Sequence, residues 1–394
     1  MFRLAGALVF LAAGVFRPAI AADGDAASTK GKADYLTEKE QSFIRPGLDL
    51  QIASASVAAD GTVSYAFTLK DPRGAPLDRL GVFTPGAIAV NSVLARVPRG
   101  ERVYSAYTTR VQTSPITGVS EVQAAADTGG TFESLGDGAY RYTFRTKLPA
   151  DADRSLTHTI AVYASRNLSE FDLGTNRAAD TYDFVPDGSA APVVPLSVTD
   201  QKCDTCHGQL VAHGTRTTTA VCTVCHNPGT VDPDTGNSVD LATMTHKIHM
   251  GAQLPSVQAG TPYRIIGFQQ RVHDYSDVVF PADVRNCASC HVEDRGAVAA
   301  LRVEAAVPSR SRGQARVEAA RLGIDPAAQT GAPQANRHLL NPSRRACGSC
   351  HDQVNFATGE GHANLPQVSD NQCGRCHNPQ GELEFDLSIL GAHT

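Results

Sequence analysis

Five short stretches of this sequence have the residue types and spacing to do chemistry: CDTCH (203–207), CTVCH (222–226), CASCH (287–291), CGSCH (347–351) and CGRCH (373–377). All ten cysteines fall in these CxxC pairs, and a histidine follows each pair at once. With 13 histidines in 394 positions, five such followers by chance has odds on the order of 10⁻⁷ or less, so the spacing reads as covalent c-type haem attachment. The chemistry needs that spacing. The two thiols of a pair add to the two vinyl groups of one haem, and the adjacent imidazole comes round beneath the ring to ligate the iron. The cofactor-binding thiols would be Cys203, Cys206, Cys222, Cys225, Cys287, Cys290, Cys347, Cys350, Cys373 and Cys376, with His207, His226, His291, His351 and His377 as proximal ligands. Zinc could take two CxxC pairs as a Cys₄ site, but it leaves five matched histidines unexplained, and five pairs do not divide evenly. A thioredoxin-like redox disulfide does not come in five copies on an exported chain.

A proximal histidine fills one face of an iron. A filled opposite face makes an electron carrier, and an open one makes a place for a small molecule to react. Eight histidines lie outside the motifs, enough for five distal ligands. His246 and His249, in MTHKIHM, lead the field. At i, i+3 on a helix they share a face about 5–6 Å apart. Axial ligands approach one iron from opposite sides, so these two must serve different irons. Lys247 stands where a zinc-binding HExxH motif needs glutamate. Met244 and Met250 read as packing residues. His213 precedes Gly214 and His362 follows Gly361, both settings for a tight turn. His393 is taken as the fifth distal ligand because the apolar run FDLSIL before it would hold the tail against a core. His273 in VHDYS reads as part of a hydrogen-bonding turn, and His158 and His338 as structural or surface residues.

These residues must be positioned by something, and the chain divides into unlike halves. It opens with MFRLAGALVFLAAGVFRPAIAADGD, whose Arg3, apolar run and Ala19-Ile20-Ala21 read as a signal peptide over residues 1–21. No cysteine near that site offers a lipid anchor, and no later segment is a membrane span. The formal charge of −5, or −7 without Arg3 and Arg17, is not that of a nucleic-acid binder. Residues 22–45 form an N-terminal extension. From Asp49 to Pro186 there is no cysteine and one histidine. TVSYAFTLK puts Val63, Tyr65, Phe67 and Leu69 on one face, YRYTF does so with Tyr140, Tyr142 and Phe144, and HTIAVYA with Ile160 and Val162. Asp60-Gly61 and Asp137-Gly138 separate such runs as hairpin turns would. An all-β domain over 46–188, a sandwich or split Greek-key barrel, is the expectation. VPDGSAAPVVP (185–195) is the linker, and 189–394 is expected to be a pentahaem domain. There the motifs span 175 residues, or 35 per motif, too few to wrap each haem conventionally. The porphyrins must supply much of the buried apolar surface, among short helices and loops, and haems so crowded form a wire. The Arg- and Ala-rich stretch 306–334 reads as a mobile surface loop, and VDPDTGNSVD (231–240) as a polar turn that departs from the calcium-loop pattern.

With LVAHG, CTVCHNPG, MTHKIHMG, VVFPADVRNC, CGSCHD and TGEGH in order behind a β-domain, the chain resembles the outer-membrane multihaem cytochromes of the OmcA/MtrC type over nearly its whole mature length. The resemblance implies bis-histidine haems and electron movement out of the cell to metal oxides, metal chelates or flavins. Members of that family typically carry two β-plus-pentahaem halves, and this chain matches one, with GAHT resembling the hinge before a second half. Many members are lipid-anchored, and some β-domains hold an extra cysteine pair; neither cysteine feature is present here.

The expected function is therefore electron transfer rather than catalysis, by an exported protein of the periplasm or cell surface carrying five haems c. Its partners would be periplasmic or outer-membrane cytochromes on one side and metal or flavin acceptors on the other. The alternative is a pentahaem reductase of the nitrite-reductase kind, with one open haem. That family uses a CxxCK motif at the catalytic haem, whereas all five motifs here end in histidine. A haem-bearing adhesion protein with a functional β-domain is a third class. Five complete motifs with no cysteine left over predict an intact mass, after denaturation, equal to the processed chain plus five haems; a correctly matured protein with four or fewer would overturn the count.

Overall fold

Alternating apolar residues force the first half into strands, because each strand can then bury one face. The computed structural model describes residues 31–196, 198–286, 289–291, 347–356 and 358–366. Its strands are β1 (Asp49–Val57), β2 (Val63–Lys70), β3 (Ile88–Arg96), β4 (Ser105–Ala106), β5 (Thr109–Thr113), β6 (Ser120–Ala124), β7 (Thr131–Gly136), β8 (Ala139–Thr143), β9 (His158–Asn167) and β10 (Thr175–Phe184). Two four-stranded sheets, ordered β1-β2-β8-β7 and β10-β9-β3-β4, face one another, and β5-β6 forms a separate ribbon. All their pairings are antiparallel. Non-consecutive neighbours such as β2-β8 and β3-β9 give the crossed connections of a Greek-key sandwich.

The core between the sheets holds the residues that alternation selects. Val63, Tyr65, Phe67 and Leu69 pack with Tyr140, Tyr142, Phe144, Ile160 and Val162. Asp137 (φ 48°) and Gly138 (φ 73°) make the β7-β8 turn, and a Cβ on Gly138 would lie 2.6 Å from the Leu69 carbonyl oxygen. The left-handed pair is what a two-residue hairpin requires. At Asp60-Gly61 the turn is longer: Ala58 N donates to the Thr62 carbonyl, and Gly61 N to that of Ala58.

One strand departs from simple alternation. β9 is buried on both faces from His158 to Ala164. Ile160 and Val162 enter the sandwich core, whereas Ala161 and Tyr163 join a second cluster with Val93, Ala95 and Tyr104, closed by Val221 and Val224. Those two valines belong to the helix that carries CTVCH, so the outer face of this sheet is the floor on which the second half is built. Period-two reading cannot anticipate a face covered by a distant segment.

The extension also carries structure that its sequence did not announce. Glu38–Ile44 forms α1, capped by Thr37, which exchanges hydrogen bonds with Glu40 in a capping box. What holds it down is Arg166, which is fully buried. Its guanidinium donates to the carbonyls of Ile44 (2.6 Å), Arg45 (2.6 Å), Gly47 (3.0 Å) and Pro85 (2.6 Å). Burial pushes its pKa down to about 10, so it remains charged at neutral pH.

Beyond Phe184, residues 185–196 have no regular structure. Then come α2 (Asp200–His207), α3 (Thr219–Cys225), α4 (Leu241–Met250), α5 (Pro255–Gln258), the short hairpin β11 (Arg264–Ile266) and β12 (Val272–Asp274), and a helical turn at Cys347–Cys350. Their own apolar core is small: Val239, Leu254, Tyr263 and Ile265, with Met244 and Met250 packed against it. Residues 231–240 do form a polar turn, closed by Gly236 N on the Asp232 carbonyl and by Thr235 and Asp234 on the Asp232 carboxylate. The expected turn at VHDYS is corrected: His273 is in β12, opposite Ile265, and the turn follows only from Asp274, whose carboxylate accepts from Ser276 N. The signal peptide, the 306–334 stretch and His338 lie outside the described residues, as do Cys287, Cys373, Cys376, His377 and His393.

Arg166→Met keeps the apolar stem but strips the donor from the buried Ile44 carbonyl and from three part-buried ones, which costs roughly 3 kcal/mol or more. The expected result on the full holo-protein is a lower urea midpoint for the β signal and earlier proteolysis before residue 49. An unchanged midpoint would mean that the four carbonyls find other donors.

Candidate functional site

A CxxC pair on a helix places its two sulfurs one turn apart on the same side. α3 does this with Cys222 and Cys225. Its N-cap Thr218 accepts from Val221 N, and Val221 and Val224 point the other way, into the sheet. α2 carries Cys203 and Cys206 in the same manner, and is tied to α3 because Asp200 accepts from Thr219 N (2.6 Å) and Oγ1 (2.8 Å). None of α2's residues is buried. These four cysteines are not in disulfides. Burial pushes the thiols of Cys222 and Cys225 up to about 12 and 11, a penalty that thioethers, having no proton, do not meet.

α4 is the central element. Asp240 caps it through Thr243 N (3.1 Å), and its first amide, Leu241 N, donates to the His226 carbonyl (2.8 Å). Gly251 ends it at φ 45°, where a Cβ would stand 2.2 Å from the Val278 carbonyl oxygen. No side chain fits there. His246 and His249 therefore occur at i, i+3 on a helix fixed at both ends.

The structure brings the expected histidines together in pairs. The rings of His207 and His249 have centroids 6.0 Å apart, those of His213 and His226 5.8 Å, and those of His246 and His291 6.1 Å. A metal–imidazole bond is about 2 Å and the ring centroid lies about 1 Å behind its nitrogen, so two rings across one iron sit about 6 Å apart. Each pair joins a motif histidine to one from outside the motifs. His246 and His249 face different motifs, as the one-sided helix geometry demands. The ring planes are nearly parallel in two pairs (17° and 15°) and crossed at 76° in the His207–His249 pair.

Hydrogen bonding fixes which nitrogen is available. Nδ1 of His226, His246, His249 and His362 each meets a backbone carbonyl, of Val239 (2.8 Å), Ala242 (2.7 Å), Thr245 (2.8 Å) and Leu365 (3.0 Å). That arrangement holds the ring and leaves Nε2 as donor to a metal. His158 differs: Nδ1 meets the Leu156 carbonyl (2.9 Å) and Nε2 the Tyr107 hydroxyl (3.2 Å), so both nitrogens are engaged. His273 stacks on Tyr275 at 6.4 Å and pairs with no motif histidine among the described contacts. Burial, then the facing His226, pushes His213 down to about 4, and burial lowers His226 too; both rings are neutral at pH 7, the form that ligates.

The three histidine pairs, with Cys203, Cys206, Cys222, Cys225 and Cys290, line one continuous cavity of about 2970 Å³. An ordinary small-molecule site holds about 300–1,000 Å³, so this space suits several large groups rather than one. His351 and His362 line it as well. His213 (φ 50°) and Gly214 (φ 74°), and Gly361 (φ 75°) with Ala363 (φ 51°), make the tight turns expected beside those ligands. Among the described residues no three His, Cys, Asp or Glu side chains converge as a zinc ion would need. The donor set, its spacing and the cavity fit haem c.

Several residues that organise the site gave little sign of it in the sequence. Lys247, between the two α4 histidines, pairs with Asp352 at 2.5 Å, with side chains only 15% and 9% exposed. Asp352 directly follows His351 and also accepts from Ser256 N and Oγ. A mostly buried pair of this kind fixes register, here of the fourth motif against α4. Contacts between residues 105 apart leave no local pattern. Asp240 did have one, an aspartate three residues before a threonine at a helix start. Tyr163 and Arg216, joined at 2.8 Å, had none.

Comparison with known proteins agrees with this arrangement. Residues 196–388 match the family described as outer membrane cytochrome MtrC/MtrF-like, domains II/IV. The multiheme cytochrome MtrC of Shewanella baltica (strain OS185) is 24% identical over 269 residues, covering 66% of this chain and 31% of that relative. The crystal structure of the outer membrane decaheme cytochrome OmcA superposes with a TM-score of 0.57 at 22% identity, over 88% of this chain and 48% of that one. The crystal structure of MtrC from Shewanella baltica OS185 gives 0.48 at 22% identity, over 85% and 44%. The chain thus spans about a third to a half of the length of these relatives. Residues 196–388, which bear the CxxCH motifs, belong to the MtrC/MtrF-like family of multihaem cytochromes, and with the β-sandwich before them the chain has the fold of OmcA.

Proposed function

We propose that this chain is an exported electron-transfer protein that carries electrons through five bis-histidine haems c toward extracellular acceptors such as metal oxides, metal chelates or flavins. The observation that carries the reading is the pairing of three motif histidines with three outside histidines, each at the spacing of one iron. An iron held by such a pair would have both faces filled, which would leave a substrate no place on the metal and electrons a path through the porphyrin edge. The proposed division is a β-domain at 46–188 and a pentahaem domain at 189–394. The fourth and fifth haems would take His351 and His377 as proximal ligands, with His362 and His393 on the distal side. Donors are expected among periplasmic or outer-membrane cytochromes, and the chain would work in the periplasm or at the cell surface. No helix among the described residues is long and apolar enough to cross a membrane.

Haem c supplies the one-electron iron couple; the chain's residues place it. α4 holds a distal histidine for the first motif and another for the third, and its N-terminus is bonded to His226 of the second. Three sites are thereby fixed relative to one helix, which keeps the gaps between them constant while electrons pass.

The test is a set of single substitutions read by low-temperature EPR and absorption. The holo-protein should be low-spin at all five irons and bind carbon monoxide poorly. His249→Ala should turn only the haem at Cys203/Cys206 high-spin, His246→Ala only that at Cys287/Cys290, and His213→Ala only that at Cys222/Cys225. The crossed rings at His207 and His249 leave two iron d orbitals nearly equal in energy, so the first of these haems should show a more anisotropic low-spin signal than the other two. Substantial high-spin iron in the unaltered protein, or two substitutions that open the same haem, would sink the assignment.

A further inference from the structure

The site at Cys222, Cys225, His226 and His213 is built directly against the β-sandwich. Arg216 lies at the end of the turn that carries His213. Its backbone closes that turn on Ala212, N to O at 3.0 Å and O to N at 2.9 Å. Its side chain then folds back: Nη1 donates to the His213 carbonyl (3.3 Å) and to Thr215 Oγ1 (3.2 Å). Nη2 donates to the Tyr163 hydroxyl (2.8 Å), and the guanidinium lies 4.0 Å from the centre of the Tyr163 ring. Tyr163 is in β9, on the face that also receives Val221 and Val224 of α3. One strand therefore supports both sides of the site, the thiols and His226 through α3 and His213 through Arg216.

Two features of Arg216 go beyond a structural tie. It lines the haem cavity, yet it is in none of the ion pairs formed among the described residues. A guanidinium with neutral partners alone keeps its charge available, and its planar fork is well suited to a carboxylate. Haem brings two carboxylates. Second, its guanidinium is held at the edge of this site from two sides, by the His213 carbonyl at one nitrogen and the Tyr163 hydroxyl at another. Arg110 of β5, held by Gln123 Oε1 at 3.2 Å, lines the same cavity. The strained φ of 50° at His213 also needs a neighbour that over-determines it.

We propose that Arg216, seated on Tyr163, is a positioning residue for the haem held by Cys222, Cys225, His226 and His213, and that it binds a carboxylate of that haem and raises its reduction potential above that of the same site without the charge. The inference rests on the haem reading above. Reduction of the iron adds one negative charge, which a fixed positive charge favours, so the β-sandwich takes part in setting the level of one step in the wire.

The test uses full-length holo-protein and EPR-monitored redox titration, with His213→Ala identifying which signal belongs to this haem. Arg216→Gln should lower the midpoint of that haem by a tenfold change in its reduction equilibrium, equivalent to 59 mV, and leave the others within twofold. Arg216→Lys should keep most of the midpoint, and Tyr163→Leu, which removes the platform, should lower it. An unshifted midpoint in Arg216→Gln, or an equal shift in all five haems, overturns the proposal. If Arg216→Gln does not mature, the other two variants decide, and a midpoint lost in Arg216→Lys but kept in Tyr163→Leu overturns it. Failure of His213→Ala to open any haem would instead overturn the underlying ligand assignment.

Discussion

Two imidazoles can share one haem iron only from opposite sides of the ring and at about 6 Å between ring centres, and the described residues of the second half place three histidine pairs at that spacing. A helix presents i and i+3 on one face, so it can never close on a single iron from both sides. α4 meets the constraint by turning His249 to His207 and His246 to His291. Because both histidines hang from one rigid element, a shift in α4 would disturb two sites together. Its two ends are correspondingly well fixed, by Asp240 at the start and by the close approach of Gly251 to Val278 at the finish. Lys247 and Asp352 carry the same helix's position on to the fourth motif.

The β-sandwich enters this arrangement as a foundation. Its inner core is self-sufficient in apolar residues, whereas the described residues of the second half have a small cluster of their own around Leu254 and Tyr263. Short helices around so small a cluster gain stability from a cofactor or from a neighbour. Here α3 draws on the neighbour: Val221 and Val224 lie against the outer face of β9 and β3. The polar turn at 231–240 adds a second attachment, with Gln123 donating to the Val231 carbonyl and Ser114 to Asp234. The ribbon β5-β6, which adds nothing to either sheet, is thus a strut between the halves. Arg166 plays the corresponding part at the other end, where four backbone carbonyls converge on one buried cation.

The sequence by itself determined what depends on local chemistry. CxxCH is read from five adjacent residues, an Asp-Gly turn from two, and a half-buried strand from alternate ones, so motifs, hairpins and inner-face residues such as Tyr65 and Phe67 were legible. That His246 and His249 would face different motif histidines was also legible, because one face of a helix cannot reach both sides of one haem. What the tertiary structure decided was everything carried by residues far apart in the chain. Which motif each outside histidine faces, the burial of β9 on both sides, and the ties of Tyr163 to Arg216 and Lys247 to Asp352 all join segments well separated in the chain. Periodicity records which face of an element is apolar, but not which distant element will cover it. That choice is made only when the whole chain packs and each buried polar group must find its partner.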